Sequence, residues 1–146
     1  MTRTRQYVLA VDPGKTTGLA WWLDGRDPYV EEAEMIPFLS GVETSLMSRR
    51  GTLIVCERYV IGPQTLRKSR QTWSLEIIGA LRYLAAKWGA EFALQDAAGA
   101  KRLVPDRALK ALGWWEVGKE HGRDALRHLA FRLLKDGRLD PAKLIA

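Results

Sequence analysis

The first apolar run of the chain, YVLAVD (Tyr7 to Asp12), shows no alternation and is stopped by Pro13-Gly14. A short run of this kind, rich in strand-favouring residues, predicts a strand buried on both faces. TGLAWWLD (Thr17 to Asp24) predicts a second strand, with Gly25-Arg26-Asp27-Pro28 as the turn after it. A weaker third strand around Tyr29 to Ile36 would complete an antiparallel meander. Ser40 to Arg50 reads as a helix and leads into TLIVCE (Thr52 to Glu57), the most strongly apolar strand candidate after the first. Two buried strands joined through a helix imply a mixed α/β sheet.

GPQTLRKSRQ (Gly62 to Gln71) is a polar, basic loop without periodicity. Beyond it Trp73, Ile77, Leu81, Leu84 and Trp88 recur at helical spacing, and Gly89 supplies the stop. EFALQ (Glu91 to Gln95) predicts a fifth strand, short enough to be an edge. A short helix around Asp106 to Leu112, broken by Gly113, and a final one from about His121 to Lys135, stopped near Gly137, follow. With no internal repeat, low-complexity tract or linker, residues 1–146 read as one domain.

Composition narrows the class. A chain of 146 residues that is 47% hydrophobic can close one core without disulfide or metal staples. Cys56, the only cysteine, excludes an internal disulfide and a cysteine-based zinc site, and its place inside TLIVCE predicts a buried packing residue. No run approaches the roughly 18 apolar residues of a membrane span, and MTRTRQ leads into a strand and not into a signal-peptide apolar region. A cytoplasmic protein with no membrane partner is expected. The formal charge of +6 points to an anionic partner, most commonly nucleic acid.

Within VDPGKTTG, the tripeptide Gly14-Lys15-Thr16 resembles part of a phosphate loop, but the glycine required five positions earlier is Leu9, so the match fails. Asp12 carries more. A carboxylate ending a buried strand must be paired, cap the Asp-Pro-Gly turn, or hold a metal. Glu57 ends the other strongly apolar strand in the same way, which could bring both acids to one edge of the sheet. Hard divalent cations require such oxygen clusters, and phosphodiester hydrolysis uses such cations. In EHGRDALRH, His121, Asp124 and His128 stand at i, i+3 and i+7 on one helical face. Taken alone, that pattern is more simply that of a solvated basic helix with Asp124 paired to an arginine.

Three stretches together, VLAVDPGKTTGLAWW, LIVCERYVIG and HGRDALRHLAFRLL, resemble in order the RuvC family of Holliday junction resolvases, in particular its small bacteriophage-encoded members. The resemblance implies an RNase H-like fold, with a five-stranded mixed β-sheet flanked by helices. It also implies four ligands for two divalent ions, Mg²⁺ or Mn²⁺, which carry over to Asp12, Glu57, His121 and Asp124. Family members carry either Asp or His at the place of His121, and the imidazole shifts the implied preference towards manganese. The implied activity is metal-dependent hydrolysis of branched DNA, with Asp12 bridging the ions, Glu57 and Asp124 flanking, and His121 as ligand or general base. His128 is at most a residue behind the ligands.

In that family the segment after the second acid reaches towards the junction. Here it is ERYVIGPQTLRKSR, in which Val60 stands where an aromatic is expected and Tyr59 is one residue early. Arg58, Tyr59, Arg67, Lys68 and Arg70 are implied DNA contacts, and Lys101 and Arg102 loosely match the place of a functional lysine. Of Trp114-Trp115, one is expected to pack and the other to face DNA. A two-fold symmetric junction implies a homodimer, for which the family uses the helix that falls here on Gln71 to Trp88. Rival readings are a flap- or fork-preferring nuclease of the same fold, a non-catalytic nucleic-acid-binding module, and a sugar-kinase-like phosphotransferase, for which the chain is too short.

Overall fold

The structure, a computed structural model, describes residues 6–60, 62 and 72–145. The predicted loop residues Arg67, Lys68 and Arg70 lie outside the described residues. Among the described residues, five strands form one sheet: β1 (Val8–Asp12), β2 (Thr16–Trp22), β3 (Tyr29–Glu34), β4 (Leu53–Glu57) and β5 (Glu91–Gln95), in the order β3-β2-β1-β4-β5. β1, β2 and β3 are antiparallel neighbours, whereas β4 pairs parallel with both β1 and β5. This is the expected five-stranded mixed sheet, with the meander first and the short fifth strand at an edge.

Among the described residues the helices are α1 (Met35–Ser48), α2 (Trp73–Trp88), α3 (Ala97–Leu103), α4 (Asp106–Ala111) and α5 (Glu120–Lys135), followed by a 3₁₀ turn at Pro141–Leu144. Two expectations need correction. The third strand stops at Glu34, and the helix after it starts at Met35 instead of Ser40. Pro37 then falls in the first turn of α1, where a missing N–H is tolerated. α3 was not expected, because AAGAKRL has no apolar stripe and buries only Ala100.

Alternation along the central strand sorts the core into two layers. Val8 and Ala10 pack with Leu126, Leu129 and Leu133 of α5, while Leu9 and Val11 pack with Phe38 and Leu46 of α1 and Ile77 and Leu81 of α2. β1 is buried throughout because it is covered on both faces, as its unbroken apolar run predicted. Each fully buried leucine contributes about 1.5–3 kcal/mol relative to exposure. Cys56 is part of the α1–α2 layer, as expected. Gly89 ends α2 with φ +68°, the left-handed conformation glycine adopts without steric cost. Among the described residues, no helix is long and apolar enough to cross a membrane.

The same alternation continues past the last apolar residue of each strand. Asp12 follows Ala10, Glu57 follows Val55, Glu32 follows Val30 and Gln95 follows Ala93, so all four polar side chains emerge on the face covered by α5.

Candidate active site

The register places the two strand-end acids side by side, because Val11 pairs with Cys56 and the next residues are Asp12 and Glu57. On one side of this pair, Asp12 is opposite Gly18 and Gly18 is opposite Glu32. On the other side, Glu57 is opposite Gln95. The turn after β1 is closed by Thr17, whose hydroxyl donates to the Gly14 carbonyl at 3.0 Å. Asp12 therefore does not serve as the turn cap. Its carboxylate, on a residue only 8% exposed, faces His121 Nδ1 at 3.1 Å and also contacts Glu57.

α5 begins where the sheet ends. Glu32 Oε2 accepts the backbone N–H of His121 at 2.8 Å and that of Gly122 at 3.2 Å, capping the positive end of the helix with a carboxylate. The helix sits close to β2 because Gly18 has no side chain: a β-carbon there would overlap the His121 carbonyl group. Gly122 is similarly confined, since a β-carbon on it would come 2.8 Å from Val30 Cγ1. These contacts place His121 above Asp12 and send Asp124, one turn on, down the same face.

The electrostatics of the group are those of crowded anions. Asp12 is pushed up to about 9 by burial, by its hydrogen bond to Glu57 and by the neighbouring charges of Glu57 and Asp124, while Lys101 partly opposes the rise. Glu57 moves the other way. Burial would raise it, but the adjacent His128 ring, the Asp12 hydroxyl and the charge of Lys101 hold it well below the usual carboxylate range. The adjacent acids thus share one proton between them.

Asp124 is turned towards Arg127 Nε at 3.5 Å. Arg127 is buried, and its other nitrogens donate to the Val104 carbonyl at 2.8 Å and to Asp106 at 2.9 Å. An arginine partner for Asp124 is what the solvated-helix alternative anticipated, yet the pair lies at the sheet face beside the acids. Among the described residues, no three of the His, Cys, Asp and Glu side chains converge closely enough to hold an ion as they stand. The donor set still fits a hard or borderline divalent cation. Three carboxylates and an imidazole are suitable ligands, and a cation among them would offset the burial and the neighbouring acids that disfavour ionised Asp12.

Several further residues complete the site. Glu32 and Gly18 set the approach of α5. His128 is 2% exposed and not a surface residue; its Nε2 stands 3.9 Å from Glu57 Oε2, and Gln95 contacts its other ring nitrogen at 2.9 Å. Beside Asp124, a groove of about 640 Å³ is lined by Lys101, Arg107, Arg123 and Arg127 together with Asp106. Trp114 packs in the core, whereas Trp115 is half-buried between Lys110 at 4.5 Å and Arg123 at 4.7 Å from its ring centre. Arg123 also donates to the Glu116 carbonyl at 2.7 Å, which fixes its guanidinium along the groove.

The remaining expected contacts fall at different distances from this centre. Lys101 is exposed and acts on both Asp12 and Glu57 through its charge. Arg102, on the same helix, is exposed. Arg58 is exposed and paired with Asp96 at 3.2 Å, and Tyr59 rests against the α1–α2 layer.

No protein-family model matches the chain, and no curated protein matches it in sequence. Its fold does match solved structures. Thermus thermophilus RuvC superposes with a TM-score of 0.62 at 16% identity, over 90% of this chain and 97% of that one. T. thermophilus RuvC in complex with a Holliday junction substrate gives 0.56 at 16% identity, over 91% and 97%. The fowlpox virus Holliday junction resolvase gives 0.50 at 12% identity, over 91% and 99%. The chain has the RNase H-like fold of these proteins.

Proposed function

We propose that this chain is a metal-dependent, structure-specific DNA endonuclease that resolves four-way junctions, with Asp12, Glu57, His121 and Asp124 as its catalytic set and residues 1–146 as one nuclease domain. The observation that carries this reading is the arrival of four metal-competent side chains from β1, β4 and α5 at one end of one sheet face. A fold shared with proteins described as RuvC and as Holliday junction resolvases supports the substrate class. The net charge of +6 suits a polyanion.

Divalent cations bound at these residues, two ions of Mg²⁺ or Mn²⁺, would neutralise charge on the reacting phosphate and acidify the attacking water. Asp12, which contacts both Glu57 and His121, would hold the ions together with Glu57 and Asp124 on either side of it. His121 either completes the ligand set or accepts the proton of the water. The water oxygen bonds to phosphorus as the bond to the 3′ oxygen breaks, leaving a 5′-phosphate and a 3′-hydroxyl. Lys101, Arg107 and Arg123 grip the backbone on the way to the site, contributing affinity without sequence preference. A symmetric homodimer would nick both strands of a two-fold junction.

The test is incubation of the protein with a labelled synthetic four-way junction, a flap and a linear duplex, each with Mg²⁺, Mn²⁺ or EDTA, alongside Asp12→Asn. Paired symmetric nicks in the junction that need metal and vanish in the mutant are the expected result. Preferential flap cutting would retain the chemistry and change the substrate; binding without cutting in any metal would replace the enzyme with a binding module.

A further inference from the structure

We propose that Gln95 and His128 form a positioning pair that holds the Glu57 carboxylate from the buried side, with the His128 ring proton fixed on Nε2 and directed at Glu57. The proposal rests on the reading of Glu57 as a cation ligand.

The hydrogen bonds decide the tautomer. Gln95 Nε2 lies 3.0 Å from the backbone carbonyl oxygen of His128 and 2.9 Å from His128 Nδ1. A carbonyl oxygen only accepts, so the amide atom facing it is the nitrogen, which donates its two protons, one to each partner. An amide nitrogen has no acceptor capacity, so Nδ1 must be the unprotonated ring atom. The ring proton is then on Nε2, which stands 3.9 Å from Glu57 Oε2. That separation exceeds a formed hydrogen bond but leaves the ring N–H beside the Glu57 carboxylate on its buried side.

Packing alone does not explain the pair. His128 shares its face of α5 with His121, Asp124 and Ala125, and it is 2% exposed. Gln95 ends an edge strand and is 7% exposed. Two buried polar side chains are unfavourable unless each finds its partners, and a leucine at 128 would extend the core with no such requirement. What the pair supplies instead is a neutral donor fixed under a carboxylate, the arrangement that orients metal-binding acids from behind. Register makes this possible, since Glu57 and Gln95 are direct neighbours across β4 and β5.

The experiment reads the ring nitrogens of His128 by nitrogen-15 NMR on the metal-free protein, then titrates wild type, Gln95→Leu and His128→Leu with Mn²⁺ alone. Expected are a single Nε2–H tautomer in the wild type and a 10–100-fold loss of Mn²⁺ affinity in both variants, with circular dichroism showing the fold retained. An Nδ1–H ring, or a doubly protonated one at neutral pH, overturns the pair. So does wild-type Mn²⁺ affinity in a folded Gln95→Leu. Should either variant fail to fold, the wild-type spectrum decides alone. A wild-type chain that binds no Mn²⁺ overturns the ligand reading of Glu57 and the pair's role with it, whereas Mn²⁺ binding with the other tautomer overturns the pair and leaves the ligand reading intact.

Discussion

Gly18 lies against the carbonyl group of His121, with no room between β2 and the first turn of α5 for even a methyl group. Both neighbours are backbone, so neither can rotate aside. Gly18→Ala is therefore expected to push the start of α5 away from the sheet, destabilising the protein by about 3 kcal/mol, the upper end of the usual cost of overpacking. Urea unfolding measures this. Because His121 moves with the helix, junction cleavage by the folded fraction should fall as well; a variant with full stability and full cleavage would contradict the packing described.

Glu32 offers a gentler way to loosen the same helix end. Its single carboxylate oxygen accepts two backbone N–H groups at the positive end of α5. Glu32→Ala should cost about 1–2 kcal/mol by the loss of the cap and of the favourable charge at the helix terminus, and Glu32→Gln less, because an amide oxygen can still accept. Amide hydrogen exchange at His121 and Gly122 reports the effect locally: protection there should fall in the alanine variant while the middle of α5 is unchanged.

How much of this was open to a reader of the chain depends on distance along it. β1, β4 and α2 carry an apolar pattern with a clear stop, Pro13 and Gly89 among them, and their positions follow from local sequence. Asp12 and Glu57 stand out for the same reason, as acids ending apolar strands; spacing puts His121 and Asp124 on one helical face, but only the resemblance of the three stretches implied that they join the acids. α3 was not, because a helix that buries one alanine leaves no periodic trace. Nor were Glu32, Gln95 and the groove arginines, because their roles come from pairing across the sheet and from packing between residues tens of positions apart. His128 was visible only as a histidine on the right face; that Gln95 fixes it follows from the register of β4 and β5.

Asp12 gives the metal-free protein an unusual pH dependence. Its folded-state value of about 9 stands far above the ordinary 3.8, so between these the folded chain holds a proton that the unfolded chain has lost. Stability then falls as pH rises through that window. Glu57, held low, acts in the opposite sense and contributes stability above its ordinary value that is lost only in acid. Thermal melts in EDTA should accordingly show declining stability from about pH 5 to pH 9, and Asp12→Asn should flatten the decline while abolishing cleavage.

The same proton should be displaced by cation binding, because a carboxylate ligand must be ionised. Titration calorimetry with Mn²⁺ at pH 7, run in buffers of differing ionisation enthalpy, should show release of about one proton per chain and affinity that strengthens with pH. Asp12→Asn should release none. Proton release that persists in that variant would move the shared proton to a group other than Asp12.

Arg123 is the groove residue best fixed for phosphate, its guanidinium stacked on Trp115 and anchored to the Glu116 carbonyl. Lys101 and Arg107 share that groove, which opens beside Asp124. If the DNA backbone follows it to the site, Arg123→Ala should weaken four-way-junction binding and reduce the slope of log affinity against log salt by about 1, one phosphate contact's share of counterion release. Trp115→Ala should reproduce part of the affinity loss by freeing the arginine, with a smaller change in slope because the charge remains. Binding measured in EDTA from low to physiological salt separates these effects from catalysis. An Arg123→Ala slope equal to that of the wild type would place the DNA path elsewhere on the basic surface.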